Sequence, residues 1–310
     1  MINLVAIGGG TGLSQLLRGL KWYEELSIVS IVAVTDDGGS SGIIRQDFEI
    51  PPPGDVRNNI VALAEKESLI TDLLSYRFEE GFLGGHNLGN IILLALTRIN
   101  GNSFPLAVKS LSDFLNTKGR VLPCSCDMLR LVASFENGDV VFGETSINRH
   151  GGKIKEVWLD TVAEPFSETI SSLEKADYIV LGPGSLYTSI ITNFLVQEVR
   201  ETIKKSGAKL IYISNIMTQP GETENYTLSQ HVNQIEYYMG RKVDKIVVND
   251  SSFPLDVLER YKEKNSVPVL QDMCDSRIIT GDIAYIINRE KPIIRHDSNK
   301  LAKIIVSLLE

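Results

Sequence analysis

Hydrophobic residues in this chain come in short unbroken blocks, separated by polar corners rich in glycine. The block at 3–7 has no polar alternation, so it reads as a strand buried on both faces. The blocks at 28–34, 178–181, 210–214 and 245–248 repeat the pattern. Between them apolar positions return at helical spacing, which predicts helices at 55–65, 69–78, 88–99, 104–116, 187–205 and 222–239. Alternating strands and helices predict an α/β fold: a Rossmann-like, doubly wound, mostly parallel sheet. Residues 119–160 break this rhythm. There, Glu136-Asn137-Gly138-Asp139 joins two apolar stretches as a hairpin turn, and 157–159 adds a further strand. A small β-rich insert at 119–160, inside one domain spanning 1–310, is the expected organisation.

Composition narrows the function. Of 310 residues 43% are hydrophobic, enough for a full core, and 31 basic against 39 acidic residues leave a net charge of −8. That balance argues against a nucleic-acid surface, which needs a basic field. No apolar run reaches the roughly 18 residues of a membrane span, and no leader pattern opens the chain. A cytoplasmic protein is expected. Three cysteines fit a reducing compartment, and Cys124-Ser125-Cys126 has no second pair with which to hold zinc.

The chemistry concentrates in six corners. Gly8-Gly9-Gly10-Thr11-Gly12 follows the first strand and opens a helix, where free N–H groups suit phosphate. Leu13 stands where the dinucleotide fingerprint has its third glycine. After the second strand comes Thr35-Asp36-Asp37-Gly38-Gly39-Ser40-Ser41-Gly42. Its acids suit either a ribose hydroxyl or Mg²⁺ shared with ligand phosphates, and Ser40 and Ser41 suit phosphate contacts. Pro53-Gly54-Asp55-Val56-Arg57-Asn58 adds a cation at a helix start, with Asp55 readable as a simple cap. Gly84-Gly85-His86-Asn87-Leu88-Gly89-Asn90 opens the most apolar helix; His86 reads either as a cap or as an acid–base group, and Asn87 and Asn90 share a helical face. Gly182-Pro183-Gly184-Ser185 and Asn215-Ile216-Met217-Thr218-Gln219-Pro220-Gly221-Glu222 follow two later strands. All six corners belong at one rim of one sheet, where open α/β sheets bind ligands. Glu144, after the hairpin, is a further candidate.

Taken together and in this order, the corners resemble the gluconeogenesis factor (YvcK-like) branch of the CofD-like superfamily over nearly the whole chain. The resemblance implies a Rossmann-like cytoplasmic protein that binds UDP-N-acetylglucosamine or UDP-glucose and serves cell shape during gluconeogenic growth. By that likeness Gly9, Gly10, Thr11 and Gly12 meet phosphates, and Asp36 and Asp37 meet a metal or a ribose. Asn58, His86, Asn87 and Asn90 line the pocket, which Gly184 and Ser185 close. From the residues themselves, Arg57, Ser40, Ser41 and Asn215 join the candidate set. Three readings stay open: a UDP-sugar-binding regulator without turnover; a Mg²⁺-dependent transferase of 2-phospholactate type, using a nucleotide-activated donor; and an NAD-type dinucleotide binder. A homodimer is a possible assembly.

Overall fold

A computed structural model describes residues 1–66, 68–288 and 291–309. Ten strands carry the main architecture: β1 (Ile2–Gly8), β2 (Leu26–Val32), β3 (Arg120–Pro123), β4 (Leu131–Phe135), β5 (Val140–Phe142), β6 (Ile154–Leu159), β7 (Tyr178–Leu181), β8 (Lys209–Ile213), β9 (Lys245–Asn249) and β10 (Ile278–Gly281). Seven of them form one parallel sheet in the order β10-β9-β8-β7-β1-β2-β3. Strand order reverses at the β1–β7 pair, as in doubly wound Rossmann-like sheets. The unbroken apolar strands are explained by two cores. Val5 and Ile7 of β1 enter one and Leu4 and Ala6 the other, because successive side chains point to opposite faces.

Helices cover both faces. They begin with α1 (Gly10–Leu20), α2 (Gly39–Phe48), α3 (Pro53–Leu63), α4 (Leu69–Ser75), α5 (Leu88–Ile99), α6 (Phe104–Phe114) and α7 (Glu144–His150). Pro53 occupies the first turn of α3, where its missing N–H costs nothing. Asn87 caps α5 by accepting the Asn90 N–H at 3.1 Å. No single described helix is long and apolar enough to cross a membrane.

Four features differ from the sequence expectation. The insert does not start at 119: β3 pairs in parallel with β2 as an edge strand, and the antiparallel unit β5-β4-β6 spans only Leu131 to Leu159. The helix expected at 187–205 is broken into a π-helical segment Leu186–Ile191, a short turn Thr192–Phe194 and a helix Gln197–Lys205. The helix expected from 222 starts at Leu228, where Thr227 and Gln230 form a capping box. Finally, β10, an antiparallel pair of Ala284–Ile287 with Ile293–His296, and a helix Ser298–Ser307 extend the fold beyond 248. That last helix rests on α1 at Gly19, where any Cβ would collide with the Ser298 carbonyl.

Candidate functional site

The corners after β1 and β7 meet at the switch point. Gly12 makes the approach possible: a Cβ there would sit 2.5 Å from the Pro183 carbonyl oxygen and 3.1 Å from the Gly184 nitrogen. Gly10 needs glycine for another reason, its φ of +64°. The corners enclose one side of a cleft of about 500 Å³. Gly9, Gly10, Thr11, Gly12, Gly184, Ser185 and Asn215 line it together with Asp36, Asp55 and Glu144. Lys264 and Arg295 bring positive charge to its wall. Gly12→Ala is expected to cost about 1–3 kcal/mol through overpacking and to abolish the thermal shift from any ligand that sits in this corner. Gly19→Ala, which clashes far from the cleft, should lower Tm yet keep the shift. A Gly12→Ala protein that still responds to the ligand would remove this corner from the site.

Three carboxyl groups share the cleft, and their environments keep them from ionising freely. Asp55 accepts the Gly10 N–H; burial, then the neighbouring Asp36 charge, push it up to about 7. Burial also raises Asp36, against the Gly38 N–H it accepts at 2.9 Å. Glu144 lies well above the usual carboxylate range, chiefly through burial and then through Asp36 and Asp55. Asp37 is placed differently. Its Oδ1 accepts the Thr145 N–H at 2.8 Å at the start of α7, and a Cβ on Gly143 would collide with its carboxylate. Asp37 thus fastens the insert to the β2 corner, and so presents Glu144 to the cleft. Among the described residues no three His, Cys, Asp or Glu side chains gather closely enough to cage a metal ion. Asp36 in the cleft lining, together with a ligand's phosphates, is a donor set of the kind Mg²⁺ accepts.

The remaining candidates form a buried network beside the cleft. Ser40 Oγ accepts the Asn87 N–H at 3.2 Å and the Asn90 amide at 3.2 Å, with His86 Nδ1 at 3.4 Å. Arg57 donates to Asn90 Oδ1 at 2.9 Å and to Asn58 Oδ1. Burial, then the Arg77 charge, lowers Arg57 to about 10. Ser41 joins this network to the cleft by its hydrogen bond to Asp36. Gly54 leaves room for that contact, because a Cβ there would collide with Ser41 Oγ. Ser40, Arg57, Asn58, His86, Asn87 and Asn90 therefore support the Asp36 corner from behind, with their polar groups engaged on one another.

The corner after β7 is also engaged from within. Glu222 Oε1 accepts the Tyr187 and Thr188 N–H groups at 2.7 and 2.9 Å, occupying a helix start that the sequence offered to phosphate. Ser185 Oγ accepts from Gln219 Nε2 at 2.7 Å, and Asn215 Nδ2 donates to the Gly184 carbonyl at 2.9 Å. Glu222 lay in the Asn215–Glu222 corner without being singled out, and Lys264, Arg295 and His296 carried no recognisable motif. His296, buried in the cleft wall, is held neutral: burial lowers it to about 4, against a hydrogen bond to the Ser214 carbonyl.

Comparison with known proteins follows the same line. The family described as 2-phospho-L-lactate transferase CofD matches residues 4–286. A gluconeogenesis-factor relative from Thermotoga maritima is 50% identical over 98% of both chains. The gluconeogenesis factor of Bacillus subtilis is 44% identical, covering 99% of this chain and 98% of its own. A crystal structure of a Bacillus halodurans protein superposes with a TM-score of 0.92 at 42% identity, covering 98% of this chain and 99% of that one. A shared switch-point architecture, a family match across most of the chain and near full-length relatives place this protein in the CofD-like family, in its gluconeogenesis-factor (YvcK-like) branch.

Proposed function

We propose that the cleft binds a uridine diphosphate sugar, UDP-N-acetylglucosamine or UDP-glucose, and that the protein acts in the cytoplasm as a regulator of cell shape during gluconeogenic growth. One observation carries this reading: the Gly9–Gly12 corner lines the same cleft as Lys264 and Arg295. N–H groups at a helix start together with two flexible cations suit a diphosphate. Asn215, Thr218 and Gln219 add amide and hydroxyl groups for a base or sugar edge. The names of the Bacillus subtilis and Thermotoga maritima relatives support the gluconeogenic role.

Asp55 favours a second reading, transfer of a phosphoester group. A carboxyl titrating near 7 is matched to accepting a proton from an acceptor hydroxyl. Mg²⁺, held by Asp36 and the ligand's phosphates, would supply charge neutralisation on the phosphates and leave Asp55 to take the proton. Asp55 suits the base role better than His86, which sits outside the cleft lining.

A thermal-shift and calorimetric screen with UDP-N-acetylglucosamine, UDP-glucose, NAD and GDP, each with and without Mg²⁺, separates the readings. Ligand at 100 times its dissociation constant adds about 2.7 kcal/mol. A UDP-sugar shift that survives chelation is the expected result. A shift only with GDP and Mg²⁺ would favour the transferase, and one with NAD alone the dinucleotide reading.

A further inference from the structure

Two buried acceptors at the end of β8 have nothing to accept. Asn215 donates both of its amide hydrogens, to the Gly184 carbonyl at 2.9 Å and to Gln219 Oε1 at 3.3 Å. A carbonyl can only accept, so the amide is oriented and Oδ1 is left as an acceptor. His296, 8% exposed, gives one ring nitrogen to the Ser214 carbonyl. That bond fixes the proton on Nδ1 and leaves Nε2 of the neutral ring with a lone pair. Among the described residues neither Asn215 Oδ1 nor His296 Nε2 has a partner, and both atoms are buried. Both residues line the cleft. Ser214 and Asn215 are consecutive, so the bond to Ser214 keeps the imidazole at the same strand end as the amide. A buried acceptor left unpaired is costly, and a ligand that supplies a donor removes the cost.

The donor pattern selects one part of a nucleotide sugar. A phosphate brings only acceptors, and a uracil edge sets one N–H between two carbonyl groups. A vicinal diol brings two adjacent O–H donors. Ribose and hexose both carry such a pair, and the sheet order chooses between them. β8 lies three strands from β2, about 14 Å at 4.8 Å per step, with β7 and β1 between. The Gly9–Gly12 corner, suited to a diphosphate, therefore sits between the two ends. At the β8 end Ile216, Met217, Pro220, Tyr261 and Ile294 give the cleft an apolar wall for the flat face of a base. Toward β2 it carries Asp36, Asp55 and Glu144 instead. Building on the uridine diphosphate sugar reading, we propose that Asn215 Oδ1 and His296 Nε2 accept the two ribose hydroxyls. The nucleoside then lies over β8 and the sugar over β2. This reverses the dinucleotide arrangement, in which an acid after the second strand takes the ribose. Asp36 holds that position here, but it accepts the Gly38 N–H and is bonded to Ser41.

Calorimetric titration of the full chain with UDP-glucose and with its ribose 2′-deoxy and 3′-deoxy forms tests the assignment. The wild type is expected to bind each deoxy form at least about tenfold more weakly, because one acceptor stays unpaired. His296→Phe should weaken UDP-glucose by a similar factor and lose its preference at one ribose hydroxyl while keeping it at the other. UDP-2-deoxyglucose, altered only in the hexose, should respond to His296→Phe as UDP-glucose does. His296→Phe also gives up the bond to Ser214, so the comparison of ligands on the wild type carries the test even where the variant folds poorly. Equal affinity of the wild type for all three ribose forms would overturn the assignment and leave the uridine diphosphate sugar reading standing. So would a His296→Phe effect that vanishes when the hexose hydroxyl is absent. No binding of UDP-glucose in any form would overturn both.

Discussion

Replacing Glu222 by alanine is expected to lower stability by roughly 2–6 kcal/mol, because two buried backbone N–H donors lose their shared acceptor. The physical reason is local. Glu222 is 3% exposed, and its Oε1 is the acceptor for two N–H groups at the start of the segment Leu186–Ile191. Each orphaned buried donor costs about 1–3 kcal/mol, and the truncated side chain leaves a void as well. Glu222→Gln keeps a carbonyl oxygen for both donors and should cost less than about 2 kcal/mol. Denaturant midpoints at constant m-value measure both variants. An alanine variant losing under about 1 kcal/mol would mean that those N–H groups reach solvent. The β7 corner would then be open to a ligand phosphate after all.

Asp55→Asn should do the opposite: stabilise the protein, and only above acid pH. The folded carboxyl titrates near 7 and its unperturbed counterpart at 3.8. Below about pH 4 both states hold the proton and the group contributes nothing to the slope. As pH rises toward 7 the unfolded chain gives up its proton first, so stability falls, levelling off above the folded value. At 1.36 kcal/mol per unit the loss is on the order of 4 kcal/mol by pH 8. Asparagine removes the charge and keeps an acceptor for the Gly10 N–H. Urea unfolding from pH 4 to 8 should therefore show wild type and variant converging at the acid end and parting toward pH 8. Parallel curves would clear Asp55 of this role. Asp36→Asn should lower the Asp55 titration, because the Asp36 charge is the second cause of the shift. An acid kept at such expense in a ligand cleft is what a functional carboxyl looks like.

The sheet was readable because a strand buried on both faces leaves an uninterrupted apolar block, and all five predicted blocks overlap strands of the parallel sheet. β3 was not readable as a sheet strand: it is four residues long and ends in Pro123, and only its pairing with β2 defines it. The break at 187–205 has the same origin. Helical periodicity runs through it, but Glu222, distant in sequence, anchors the first turn.

The candidate site divides along the same line. Glycine corners, the Asp36 acid and the run of apolar strands are consequences of local backbone demands, positive φ and free N–H groups after a strand, so residue type alone announces them. The sequence by itself therefore determined the sheet, its phosphate-suited corners and the chain's acidic balance. Only the tertiary structure decided that Glu222 fills the β7 corner, that Asp55 takes the Gly10 N–H of the first corner, that Asp37 fastens α7 while Asp36 and Asp55 face the cleft, and that Lys264 and Arg295 line the same cleft as the first corner. Those outcomes depend on contacts between segments far apart in the chain. An ordinary acid or base in a loop carries no local mark of where folding will place it.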